Sequence, residues 1–241
     1  MHRPPIYVGT AGWSLPKAVR PAFGDGGTLL ERYASRFNGV EINSSFYRTH
    51  QRQTYARWAA SVPPGFRFAV KAPRQITQAR RLVGATPLLE PFLGQIGGLG
   101  SKLGPVLFQL PPSLAFDDDV AAAFFAAWRE RFDGPTVCEP RHVSWFSAAA
   151  DRRLTCDRIA RAAADPAVCP EAAKPGGYGG TYMRLHGSPL IYQSPYGPER
   201  LKLWLQPLAD APGPAWCILD NTMFGVAAED ALTLMGLAGA A

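Results

Sequence analysis

The stretch "TYMRLHGSPLIYQSPYG", residues 181–197, alternates its chemistry on a two-residue period until a glycine and two prolines stop it. Tyr182, Arg184 and His186 fall on one face of a predicted strand, with Met183 and Leu185 on the other. Such a strand needs somewhere to put its charges. Other predicted strands end in the same way. Their endings are "VEIN" (Glu41, Asn43), "FAVK" (Lys71), "LFQL" (Gln109), "CEPRH" (Glu139, Arg141, His142), "AAAD" (Asp165) and "ILDN" (Asp220, Asn221).

Eight short apolar or β-branched runs, at 6–8, 39–42, 66–70, 106–110, 136–138, 159–164, 181–185 and 216–219, are spaced as a strand plus a crossover. Helical patterns fall at 28–37, 53–61, 86–99, 117–132, 198–208 and 226–237. Residues 166–180 are too rich in Pro and Gly for a helix. This repeat predicts an α/β fold: a TIM-like (β/α)8 barrel, as a single domain over residues 1–241. The outer face of a barrel strand packs on helices. Val40, Ile42, Phe68, Val70, Phe108, Leu110, Cys138, Met183 and Leu185 are therefore expected outward. Glu41, Asn43, Lys71, Gln109, Glu139, Arg184, His186 and Asp220 are expected inward, at the C-terminal mouth where barrel active sites lie.

The composition is globular, with 47% apolar and 18% charged residues. Arginine carries the net charge of +6, and no basic run exceeds two residues, so no nucleic-acid tail is visible. The four cysteines are far apart and make no CxxC, which suits reduced thiols. The opening "MHRPPIYVGTAGW" has no apolar leader and no stretch is long enough to span a membrane, so a cytoplasmic protein is expected.

The motifs "VGTAGWS", "VEINSSFYR", "FAVKAPRQITQ", "GPVLFQLPPSL", "CEPRHVSW", "TYMRLHGS" and "CILDNTMFGVAAEDA" resemble the domain-of-unknown-function 72 (YecE-like) family, in family order over nearly the whole chain. The resemblance implies a TIM-like barrel and no known activity. Where the family usually has a His after the third strand, this chain has Gln78, and the stretch between Trp145 and Thr181 looks short.

The residue types point to acid–base chemistry on a small anionic substrate, phosphorylated or carboxylated. Glu41, Glu139 and His186 are the candidate catalytic residues. Asn43, Tyr47, Lys71, Gln109, Arg141, His142, Trp145, Arg184, Asp220 and Asn221 are the candidate substrate-binding residues, with Lys71, Arg141 and Arg184 as anion anchors. Phe46, Tyr47, Trp145, Tyr192 and Tyr196 read equally as an aromatic rim or as a lid over the mouth. No metal is expected, because HxH, HxxxH and DxD spacings are absent at these strand ends, and no organic cofactor is expected. The alternative is nucleic-acid or nucleotide processing, metal-assisted, through basic loops at 48–57 and 74–81. A third reading is a non-catalytic metabolite-binding protein. "GTAGWS" reads equally as a phosphate-binding or a tight structural turn, and "LPP" (110–112) as a rigid loop with a cis bond. Arg184 is expected to face an open mouth, so that Arg184→Met costs little stability. The sequence leaves the oligomeric state open.

Overall fold

Strand alternation splits the interior into two cores. The structure, a computed structural model, describes residues 4–25 and 27–240. Residues 1–3, part of the opening read above as leaderless, lie outside the described residues. The strands are β1 (Ile6–Thr10), β2 (Gly39–Ile42), β3 (Arg67–Lys71), β4 (Leu103–Gln109), β5 (Thr136–Glu139), β6 (Ala160–Arg161), β7 (Ala163–Asp165), β8 (Gly176–Gly177), β9 (Thr181–Leu185) and β10 (Ala215–Leu219). The helices are α1 (Leu29–Ala34), α2 (Arg52–Ala60), α3 (Thr86–Ile96), α4 (Asp118–Arg129), α5 (Ala148–Cys156), α6 (Gly197–Ala209) and α7 (Ala227–Ala240). One sheet has the order β1-β10-β9-β7 and is wholly parallel. The other, β2-β3-β4-β5-β6-β8, is parallel except for β8.

The outer core joins strands to helices and contains all nine residues expected outward, Val40 and Ile42 through Leu185. The inner core lies between the sheets: Ala69, Leu107, Val137, Ala160, Ala162, Tyr182, Trp216 and Ile218. Four of these inner residues stand two positions before a charged one: Ala69 before Lys71, Val137 before Glu139, Tyr182 before Arg184, and Ile218 before Asp220. Apolar filling at the N-terminal ends thus gives way to charge at the C-terminal ends.

The expected closed ring is not found as one continuous ladder among the described residues. Hydrogen bonding assembles two sheets, and the chain crosses between them where a single sixth strand was expected. That strand is broken at Ala162, whose N–H donates to the Cys138 carbonyl at 2.9 Å. β6 pairs with β5 on one side of the break, and β7 pairs with β9 on the other. At the second seam, side chains replace much of the ladder between β1 and β2. Asn38 accepts from Val8 N–H at 2.9 Å and donates to the Ile6 carbonyl at 2.7 Å. Tyr33 Oη accepts from Thr10 N–H at 2.8 Å and donates to the Gly39 carbonyl at 3.2 Å. A Cβ on Gly9 would lie 2.0 Å from that carbonyl, so only glycine fits there.

Two further expectations are corrected. Helix α5 is absent from the sequence reading, because "AAADRRLTC" is mostly alanine and charge and buries only Ala150 and Leu154. The cis peptides are Asp165–Pro166 and Ser188–Pro189, not one within "LPP".

Candidate functional site

Arg184 sits at the centre of a charge cluster built at the C-terminal strand ends. It is fully buried, as are Glu41, Glu139 and His186. Its Nε and Nη2 clamp the two oxygens of Glu41 at 3.0 and 2.7 Å. Nη1 donates to Glu139 Oε2 at 2.8 Å, and Nη2 also donates to Asp220 Oδ2 at 3.0 Å. Tyr182 Oη donates to Glu41 Oε2 at 2.9 Å. These groups come from β2, β5, β9 and the residue after β10. The alternation in each strand turns them inward, and the parallel registers bring their ends level.

Burial would push Glu139 up, but the guanidiniums of Arg141 and Arg184 outweigh it and hold the carboxyl well below its ordinary value. Asp220 follows the same balance, with Arg184 and His186 as its main partners against burial. For Arg184, the charges of Glu139, Glu41 and Asp220 overcome burial, so the guanidinium is raised well above its ordinary value.

His186 lies between the two outer acids. Nδ1 is 2.9 Å from Asp220 Oδ2, and Nε2 is 2.9 Å from Glu139 Oε1. Nε2 is also 2.9 Å from Arg141 Nη2, which itself pairs with Glu139 Oε1 at 2.8 Å. With Nδ1–H donating to Asp220, bare Nε2 accepts from Arg141, and protonated Nε2 donates to Glu139. The ring has a partner in either state. Arg141 is the cluster's solvent edge, with its side chain 14% exposed and its Nε buried without a partner.

Lys71 ends β3 beside this cluster. It is 5% exposed and its Nζ lies 4.2 Å from the centre of the Phe46 ring. Burial, then the charge of Arg184, pull its amine down to about 8, against partial opposition from Glu41, Asp220 and Glu139.

The expectation that Arg184 faces an open mouth is corrected, because four hydrogen bonds to carboxylates take up its guanidinium and none of its surface meets solvent. Several other candidates make no side-chain hydrogen bond to the cluster among the described residues. His142 caps the short turn Val143–Phe146, with Nδ1 on Ser144. Trp145 is core, its indole N–H bound to the Leu114 carbonyl at 2.9 Å. Asn221 binds Asp230 at 2.7 Å and the Ser194 carbonyl at 3.0 Å, tying loops together. Tyr196 is buried, with its hydroxyl on Asp165 at 2.7 Å. The half-buried Gln109 uses its carbonyl to accept from Gln78 at 3.0 Å, which pins the loop after β3. Asn43 opens the turn Ser44–Phe46, and its Oδ1 is buried without a partner. Tyr47 projects into solvent. Tyr192 does sit at the rim, its ring edge-on to His186 at 5.8 Å. In the "GTAGWS" turn, Gly12 N–H donates to the Glu41 carbonyl at 2.8 Å, so the turn braces the strand that carries Glu41.

The sequence puts Tyr182 on the inward face and Phe46 at the mouth, but assigns neither a role in the cluster. Their contacts with Glu41 and Lys71 supply it.

Among the described residues, no group of three His, Cys, Asp or Glu side chains is arranged to hold a metal ion. The cysteines are free thiols, and no helix is long and apolar enough to cross a membrane.

The family model described as "Protein of unknown function DUF72" matches residues 7–241. The UPF0759 protein YecE of Escherichia coli (strain K12) is 36% identical over 106 residues, which is 44% of this chain and 38% of that protein. The UPF0759 protein YunF of Bacillus subtilis (strain 168) is 31% identical over 157 residues, covering 59% of this chain and 52% of that protein. The matched segments thus span about half or less of these relatives' lengths. A DUF72 family crystal structure from Thermotoga maritima superposes with a TM-score of 0.80 at 23% identity, over 97% of this chain and 98% of that one. One from Enterococcus faecalis V583 gives 0.80 at 19%, over 99% of both. At these identities the likeness is one of fold.

Proposed function

We propose that this chain, which belongs to the DUF72 family, is an enzyme that moves protons on a small anionic substrate at the C-terminal strand ends. The observation that carries this reading is the placement of His186 Nε2, equidistant from a donor on Arg141 and an acceptor on Glu139. A structural histidine needs one partner set. This ring keeps a partner whether it has given or taken a proton, as a general acid–base group must. Glu139 and Asp220 orient the ring, and Arg184 keeps both acids ionised. Arg141, at the solvent edge with an unused Nε, is the anion anchor in place of Arg184. Glu41, held by Arg184 and Tyr182, positions the guanidinium and takes no proton in this reading. Substrate entry requires Tyr192 to move off His186.

The two sheets are read as halves of one TIM-like barrel domain. The Ala162 crossing and the Ala11–Glu41 bridge support this, since they place β5 next to the sixth strand and β1 next to β2.

The test is proton NMR in deuterated buffer with small phosphorylated and carboxylated compounds. One C–H signal should wash out with wild type and persist with His186→Gln. Anions that bind without any exchange or turnover would make the protein a metabolite-binding protein instead.

A further inference from the structure

Lys71 is the charged residue that the cluster leaves out. Every carboxylate beside it is already engaged. Glu41 accepts from Arg184 and Tyr182, Glu139 from Arg184 and Arg141, and Asp220 from Arg184, with His186 between the last two acids. Among the described residues, Lys71 Nζ makes neither a hydrogen bond nor an ion pair, and its one cation-stabilising contact is the face of Phe46. An ammonium only 5% exposed, with no acceptor among the described residues, is costly, and a desolvated ring face returns only about 2 kcal/mol of that. Lys102 shows the contrast. It too is pulled down by burial and by Arg67, yet its amine donates to the carbonyls of Ala59 and Val62. That is a structural lysine, and Lys71 lacks the means to be one.

We infer that Lys71 Nζ is a nucleophile, and that the anionic substrate is a carbonyl compound, a small oxo acid or carbonyl phosphate, with which it forms an imine. This deepens the anion-site reading above and rests on it. The amine lone pair adds to the carbonyl carbon, and the C=O pair moves to oxygen, which takes up a proton released by nitrogen. The resulting carbinolamine expels that oxygen as water with the second amine proton, leaving C=N. No further reactant is needed. Burial supports the step, because an amine titrating at about 8 is free in roughly two hundred times more molecules at pH 7 than an exposed lysine.

The experiment treats the full chain at pH 7 with pyruvate, glyoxylate or dihydroxyacetone phosphate in the presence of cyanoborohydride, followed by peptide mapping. With only Lys17, Lys71, Lys102, Lys174 and Lys202 in the chain, the assignment is unambiguous. One adduct is expected on Lys71, with the mass of the probe less one oxygen. It should form about a hundredfold faster than at the exposed lysines, be suppressed by added phosphate, and be absent from Lys71→Arg. Mapping on wild type keeps the result independent of how that variant folds. Labelling of Lys17, Lys174 and Lys202 at least as fast as Lys71, or no adduct, overturns the inference. If phosphate still raises the melting temperature in that case, the anion site stands and the imine alone falls. If phosphate does nothing, both readings fall together.

Discussion

Arg184 and Lys71 are both buried cations in one cluster, yet their energetics oppose each other. Arg184 pairs with Glu41, Glu139 and Asp220 at once, all of them buried. Replacing it with Met strands those carboxylates, and breaking a buried pair this way costs about 3–5 kcal/mol. Urea melts of Arg184→Met at unchanged slope should therefore show a loss of that size, and a loss under about 1 kcal/mol would mean that water reaches the cluster. Lys71→Met removes an ammonium that has no acceptor, so at neutral pH it should raise stability by about 1–3 kcal/mol. The pH dependence has a definite sign. Between about 8, its folded value, and 10.5, its ordinary one, the unfolded chain binds the Lys71 proton more than the folded chain does. Stability from this group therefore rises across that window. The advantage of Lys71→Met should shrink from pH 7 to pH 10, as followed by denaturant melts at each pH. A constant gap would place the amine in a normal, hydrated setting. The residue types of this cluster were legible in the sequence, and so was their inward direction, because strand alternation dictates it. Which cation would be paired was not, since that depends on register between β2, β5 and β9.

At the scale of elements, the seam between β1 and β2 is the place where side chains do the work of a ladder. Tyr33 accepts from Thr10 N–H, shares a hydrogen bond with the Thr10 hydroxyl at 3.1 Å, and donates to Gly39. Tyr33→Phe keeps the ring packing against Phe37 and Phe66 and removes only the hydroxyl. Leaving the buried Thr10 amide without an acceptor should cost about 1–3 kcal/mol. A thermal midpoint equal to wild type would show that the seam does not depend on Tyr33. Most elements were readable because their periods are strong. Helix α4, capped by Asp117 and burying Phe124, Phe125 and Trp128, shows both its start and its face in the sequence. Helix α1 begins at a reciprocal Thr28–Glu31 capping box. The misses have physical causes. Helix α5 is mostly alanine and charge, and the break at Ala162 comes from a partner change that no local pattern announces. Phe46, Tyr47 and Tyr192 lie in loops whose direction tertiary packing sets.

Across the whole molecule, one end of the strands is filled with stacked aromatics and the other with charge. Tyr7, Trp216 and Tyr182 stack at ring-centre distances of 4.6 and 6.1 Å, and Tyr182 links that stack to Glu41. Apolar filling would serve stability better than a desolvated ion cluster, which is why the proposed function is assigned to the charged end. Repeated strand endings made that end legible in the sequence. The net charge of +6 is dispersed, and the arginines of the cluster are turned inward, so tight duplex DNA binding at physiological salt is not expected. The central claim is that one amine in the cluster is held unpaired beside an anion site. Lysine-selective nitrogen NMR with the five lysines resolved tests it directly. One resonance, absent in Lys71→Met, should titrate near 8 and shift upward when phosphate is added, because a bound anion favours the ammonium. If all five lysines titrate above about 10, or if phosphate leaves the Lys71 resonance unmoved, the claim is contradicted.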